Sequence, residues 1–177
     1  MSETFIISDT HFGHSNSLTF KRKDGSPLRD FSCVEEMDEH MVQQWNSVVK
    51  PNDKVIHLGD VVINKRCLGT LARLNGKKKL VLGNHDIFDH SEYAKYFYEQ
   101  KAYRVFDGCI FSHIPVHSGS KGRFLANIHG HLHDDIVTDE HTGLACSFYI
   151  CCCVEQPYIN YTPIPWYRVK EIIAQRT

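Results

Sequence analysis

The stretch Lys79-Leu80-Val81-Leu82-Gly83-Asn84-His85-Asp86 sets the reading of the chain. Leu80, Val81 and Leu82 make a short apolar run that reads as a buried strand, and Gly83 ends it with a residue free to adopt backbone angles that others avoid. An amide, an imidazole and a carboxylate follow at once. A carboxamide oxygen is a hard, neutral metal donor, and an imidazole moves protons near neutral pH. Alone, the segment is equally well a polar turn after a strand. The same arrangement returns, though, at four other strand ends. Asp9 and His11 follow Phe5-Ile6-Ile7-Ser8, and Gly59-Asp60 follows Lys54-Val55-Ile56-His57-Leu58. His113 follows Cys109-Ile110-Phe111, and Gly130-His131-Leu132-His133 follows Ala126-Asn127-Ile128-His129.

Composition sets the bounds. A length of 177 residues suits one domain spanning 1–177, and 42% hydrophobic with 23% charged residues is ordinary for a globular protein. A formal net charge of −1 gives no global field toward nucleic acid or membrane. No apolar run approaches the roughly 20 residues of a membrane span, and the first residues lack a basic leader, so a cytoplasmic protein is expected. The cysteines number seven and form no CxxC pair. Cys151, Cys152 and Cys153 are consecutive, which reads as strand filling in a reducing compartment rather than a disulfide framework. The 12 histidines invite a search for metal.

Between the strand ends, residues 15–31 read as a long basic loop. Ser32 and Glu35 then form a capping box for a helix whose Val34, Met37, Met41, Trp45, Val48 and Val49 share one face as core. Leu68, Leu71 and Leu74 predict a second helix with Gly76 at its C-terminal end, and Tyr93, Tyr96 and Phe97 a short helix over 91–100. Asp107-Gly108 predicts a hairpin turn, and His117, Lys121 and Arg123 mark a second basic loop. A strand over Cys146–Val154 and a helix over Pro165–Gln175 complete the chain.

Five distant segments thus deliver Asp9, His11, Asp60, Asn84, His113, His131 and His133 to strand ends. In sheets with helical connections, sites form outside the carboxyl ends of strands. The mixture of carboxylate, amide and imidazole suits Mn²⁺, Fe or Zn²⁺ rather than Ca²⁺ or thiolate-bound zinc. These are too many donors for one tetrahedral ion, but they fit two ions sharing a carboxylate. Such pairs, about 3.5–4 Å apart, serve in-line displacement at phosphate esters.

The order of motifs resembles the calcineurin-like metallophosphoesterase superfamily. The resemblance runs from residue 5 to residue 133, and Ser8-Asp9-Thr10-His11-Phe12-Gly13-His14 with Trp45-Asn46 is similar to its compact phage and bacterial members. It implies an α/β fold, a four-layer α/β/β/α sandwich of two mixed sheets with the metal site at the carboxyl ends of strands. It implies two divalent ions, Mn²⁺ first, with Fe, Zn²⁺ or Ni²⁺ as alternatives. Asp9, His11, Asp60 and His133 would hold one ion; Asp60, as a bridge, with Asn84, His113 and His131 would hold the other. His85 would protonate the leaving group as a hydroxide generated between the ions attacks phosphorus. Protein-phosphatase members continue Gly-Asp with an Asp and an Arg, whereas this chain has Val61-Val62-Ile63-Asn64, which argues against a protein phosphatase.

Phosphate binding then falls to other residues. Arg29, Lys121 and Arg123 are candidates, against the alternative of solvated loop charges, and His14, Asn16 and His117 are possible substrate contacts. His57 reads as structural; His40, His90 and His141 read as surface residues. The expected partner is a small phosphoester or nucleotide, without membrane or extended nucleic-acid binding, and a homo-oligomer is compatible with the sequence. A nuclease of the same superfamily and a catalytically silent scaffold of this fold are the alternatives.

Overall fold

The computed structural model describes residues 2–176. Its first strands, β1 (Thr4–Ile7), β2 (Lys54–His57) and β3 (Lys77–Val81), run parallel and carry the apolar runs of the sequence into the core. A short β4 (Glu99–Lys101) extends this sheet. The second sheet holds β5 (Tyr103–Phe106), β6 (Cys109–Ser112), β7 (Asn127–His129) and β8 (Tyr149–Cys151). A final strand, β9 (Ile164–Pro165), returns antiparallel to β1, so the sheet orders are β4-β3-β2-β1-β9 and β5-β6-β7-β8. Both sheets are mixed. In the second, β5 and β6 form the predicted hairpin, with Asp107 and Gly108 at positive φ as a tight turn requires.

Helix α1 (Val34–Val48) buries Met37, Met41, Val42 and Trp45. The Trp45 ring stacks on His57, and its indole N–H donates to the Asn75 carbonyl at 3.0 Å. Its N-terminus lacks the predicted capping box: the Glu36 carboxylate accepts the Ser32 N–H at 2.8 Å instead. The Leu68/Leu71/Leu74 segment is a 3₁₀ helix over Lys65–Arg73, because a spacing of three matches three residues per turn as well as it matches an α-helix. The short helix α2 spans only His90–Tyr93, and the chain becomes β4 where the sequence suggested helix to residue 100. Helix α3 (Trp166–Arg176) follows β9; Trp166 packs on Phe106 and Phe111, and Arg176 reaches the Tyr149 carbonyl, tying the helix to the second sheet.

The predicted strand over Cys146–Val154 is shorter, because the chain leaves the second sheet after Cys151. Cys153 bridges to Ser8 at the end of β1, and the Val154 N–H bonds to the Ser8 carbonyl at 3.2 Å. This crossing joins the two sheets directly beside the strand ends. All seven cysteines are free. No helix among the described residues is long and apolar enough to cross a membrane.

Candidate metal centre

The ligand-type residues sit on unusual backbone. Asp9 (φ 58°), His11 (48°), Asp60 (55°), His131 (69°) and His133 (54°) all occupy the left-handed region that L-residues rarely adopt. Such strain concentrates at functional sites, where the surrounding structure holds it in place. Here the loops hold one another: the Asp9 N–H donates to the Gly59 carbonyl and the His11 N–H to the Asp60 carbonyl, each at 3.0 Å. The glycines before the ligands permit this close approach. A β-carbon on Gly130 would lie 2.4 Å from Asp9 Oδ2 and 2.0 Å from Ser8 Oγ. Asp86 locks a third loop in place: its carboxylate accepts the N–H groups of Gly83 (2.8 Å), Asp60 (2.8 Å) and Val61 (3.0 Å).

The side chains converge. One group of ligand atoms comes from Asp9, His11 and His133 and another from Asp9, Asp60 and His113, each within 4.8 Å. His11 Nε2 stands 3.6 Å from both Asp9 Oδ1 and Asp60 Oδ2. His113 Nε2 stands 3.4 Å from Asp60 Oδ2 and 2.9 Å from Asn84 Oδ1. The His131 ring flanks that of His113, with centroids 5.1 Å apart. Two of the imidazoles are oriented by their second nitrogens: His113 Nδ1 donates to the Leu58 carbonyl at 2.8 Å, and His133 Nδ1 meets Glu155 Oε1 at 2.9 Å. Asp9 occurs in both groups, so the structure brings two carboxylates, not Asp60 alone, between the two sets of imidazoles.

The charges are arranged for a cation. Burial alone would lower the His113 pKa, but the Asp60 and Asp9 carboxylates overcome it and hold the imidazole up at about 9. Burial would raise Asp60, yet the His113 hydrogen bond and charge keep it below the usual carboxylate range. Asp9 Oδ2 accepts bonds from Ser8 Oγ (2.5 Å), the His131 N–H (2.9 Å) and Cys153 Sγ (3.2 Å). Its Oδ1 is buried without a hydrogen-bond partner, as is His11 Nδ1. An unpartnered buried carboxylate oxygen facing an imidazole nitrogen is the arrangement a metal ion satisfies. The nitrogen and oxygen donors fit Mn²⁺, Fe, Zn²⁺ or Ni²⁺.

The other predicted residues divide. His85 and Asn84 are exposed on the turn after β3; the His85 N–H is fixed to Asp60 Oδ1 at 2.8 Å, and its ring lies 5.6 Å from that of His11. His14 is half-buried between the His11 and Phe20 rings, and burial with the neighbouring His11 lowers its pKa to about 4. Asn16 is exposed nearby. His117 and Lys121 line a cleft with Asp139, His141 and Tyr149, and Arg123 is exposed. Arg29 corrects the sequence reading in both its forms, as a substrate contact and as a solvated loop charge. It is 1% exposed, and all five of its N–H groups are directed to Glu155, Asp9, Thr10 and Met37. The loop that bears it is also charge-paired, Arg22 to Asp134 at 3.3 Å and Lys23 to Asp135. His57 is structural: its Nδ1 accepts the Gly59 N–H at 3.2 Å and its Nε2 meets Thr10 Oγ1 at 3.1 Å. His40 packs half-buried against Phe31 and Tyr161 rather than lying free on the surface. Glu155 was not singled out from the sequence, and Asp86 was quoted there as the carboxylate of the opening stretch without a role.

With this geometry in place, comparison with known proteins is decisive. The sequence profile of the calcineurin-like phosphoesterases matches residues 4–150. The chain belongs to the calcineurin-like phosphoesterase family. It is 38% identical over 92 residues to an uncharacterised protein of Methanocaldococcus jannaschii, covering 50% of this chain and 49% of that one. It is 36% identical over 91 residues to the gene 66 protein of Mycobacterium phage L5, covering 49% of this chain and 41% of that one. The matched region thus spans about half the length, or less, of these relatives. Among solved structures, a protein of unknown function from Aquifex aeolicus superposes with a TM-score of 0.72 at 25% identity, over 97% of this chain and 100% of that one. The family's α/β fold therefore extends across this chain, with candidate metal-binding residues where Asp9, Asp60 and the histidines meet.

Proposed function

We propose that this phosphoesterase hydrolyses a small phosphodiester or nucleotide with two divalent ions, Mn²⁺ first among them. One observation carries the reading: donor residues from four loops, His11, Asp60, His113 and His133, gather about Asp9, one of whose buried oxygens has no hydrogen-bond partner. Asp9, His11, Asp60 and His133 would hold one ion; Asp60, Asn84, His113 and His131 would hold the other. The ions supply hydroxide at neutral pH and charge stabilisation for the attacking and leaving oxygens.

The chain's own residues do the rest. Asp60 accepts the His85 N–H, so the carboxylate that would serve both ions also fixes the turn carrying the proton donor. His85 is open to solvent and protonates the departing alkoxide. The continuation Val61-Val62-Ile63-Asn64 lacks the Asp and Arg of protein-phosphatase members, so phosphate contacts are assigned to residues elsewhere: His14, Asn16, His117, Lys121 and Arg123. A small substrate is favoured over a nucleic-acid duplex because Arg22, Lys23 and Arg29 are paired with the chain's own carboxylates and the net charge is −1. The complete donor set favours an enzyme over a silent scaffold. Free thiols throughout support a reducing, cytoplasmic setting.

The test is a panel of bis-p-nitrophenyl phosphate, the corresponding monoester, and cyclic and linear nucleotides, offered to protein with its ions counted. Turnover of a diester or nucleotide at a higher kcat/KM than the simple monoester is expected. Exclusive turnover of the monoester would overturn the diester and nucleotide reading.

A further inference from the structure

Arg29 and Glu155 lie 126 residues apart and meet behind the metal centre, both fully buried side chains. Arg29 Nε and Nη2 stand 2.8 and 2.7 Å from Glu155 Oε1, while Nη2 also reaches the Asp9 carbonyl at 2.6 Å and Nη1 the Thr10 carbonyl at 2.9 Å. The same Glu155 oxygen meets His133 Nδ1 at 2.9 Å. One ion pair therefore grips Asp9, past the end of β1 in the first sheet, and His133, past the end of β7 in the second.

A buried ion pair is weak evidence of stabilisation, since desolvation offsets much of its attraction. Its placement has another consequence. We propose that Glu155, held in place by Arg29, is a positioning residue for His133 and so for the metal position to which His133 belongs, the one made by Asp9, His11 and His133. Metal-binding imidazoles ordinarily donate their second N–H to a carboxylate or carbonyl, which fixes the tautomer and raises basicity. His113 has the Leu58 carbonyl for this; His133 has Glu155, an ionised partner. Glu155 holds His133 with its proton on Nδ1 and leaves Nε2 for the ion. Arg29, by bonding the Asp9 and Thr10 carbonyls, holds the left-handed turn that aims Asp9 Oδ1 at the same point. Among the described residues no buried arginine–carboxylate pair reaches Asn84, which is exposed on its own turn.

The proposal rests on the two-ion reading above, and its test separates the two. Metal-free wild type, Glu155→Gln and the double variant Arg29→Met/Glu155→Leu are titrated with Mn²⁺, with bound ions counted and the fold checked by circular dichroism. The double variant leaves no unpaired buried charge, so it reports even if Glu155→Gln unfolds. Wild type should bind two ions; in the variants one ion should be weakened about 10–100-fold more than the other. A folded variant that binds both ions as wild type does, or loses both equally, would overturn the proposal. Fewer than two ions in wild type would overturn the two-ion reading and the proposal with it. Independently of any variant, nitrogen-15 spectra of the Zn²⁺-loaded wild type should show the His133 proton on Nδ1; a proton on Nε2 would also overturn it.

Discussion

Gly83 and Asp60 are packed so closely that a β-carbon on the glycine would lie 2.1 Å from Asp60 Oδ1 and 2.5 Å from the Asp60 nitrogen. The backbone of one loop is thus the wall against which the carboxylate of another is set. Gly83 is needed for this space, not for its φ angle.

Gly83→Ala should therefore displace Asp60 without breaking the core around β3. Misplacement of a reacting group by about 1 Å is worth on the order of 10² in rate. A fall of that size in kcat/KM, with circular dichroism and thermal melting close to wild type, is expected. Wild-type kinetics in Gly83→Ala would show that the Asp60 position is not set by this contact.

Burial of His57 has a stability consequence whose sign is fixed. Its pKa falls from 6.5 to about 3 through desolvation, and its Nδ1 must stay unprotonated to accept the Gly59 N–H. The unfolded chain takes up this proton first, so the stabilisation is complete above about pH 6.5 and is lost as pH falls toward 3. The slope for one proton is about 1.4 kcal/mol per pH unit. Denaturant unfolding at a series of pH values should show His57→Asn with a slope shallower by that amount between pH 6 and 4. Equal slopes would contradict a neutral, buried His57.

His113, whose pKa is shifted the other way, makes metal uptake weaken as pH falls as well. Held at about 9 by Asp60 and Asp9, it is protonated at neutral pH until an ion displaces the proton. Calorimetry at pH 7.5 in buffers of different ionisation enthalpy should register release of at least one proton per chain on Mn²⁺ binding, and affinity should weaken about tenfold per pH unit below 9. Binding without proton release would remove His113 from the ligand set.

His85 separates binding from chemistry. Its backbone is tied to Asp60 and its ring is exposed, so His85→Asn should keep both ions and lose about 10²–10⁴-fold in kcat on an alkyl ester. With p-nitrophenol as leaving group, whose anion departs readily without a proton, the loss should be clearly smaller. Equal losses on both, with chemistry rate-limiting, would sink the role of proton donor.

Much of this was legible in sequence for a physical reason. A strand that ends in Gly followed by a ligand-type residue is a local pattern, and Gly59, Gly83 and Gly130 are spaced by the loops they must let through. The apolar runs mark the strands; their arrangement in two mixed sheets was implied by the resemblance to the family. What local patterns miss is pairing over distance. Nothing near Arg29, set among Lys21, Arg22 and Lys23, distinguishes it from its solvated neighbours; only Glu155, brought over where the chain crosses from β8 to Ser8, makes it a core residue. The misread segment 91–100 has a similar cause. Tyr93, Tyr96 and Phe97 have helical spacing, yet the Tyr98 N–H is taken by the Lys78 carbonyl, and edge pairing with β3 wins from Glu99 onward.

The most direct test of the account is hydrolysis of bis-p-nitrophenyl phosphate by metal-stripped protein as Mn²⁺ is added, with Asp60→Asn alongside. The account predicts no turnover without metal, activity that saturates at two ions per chain, and neither full occupancy nor activity in Asp60→Asn. Turnover that persists in chelator, or two ions retained by an active Asp60→Asn, would contradict it.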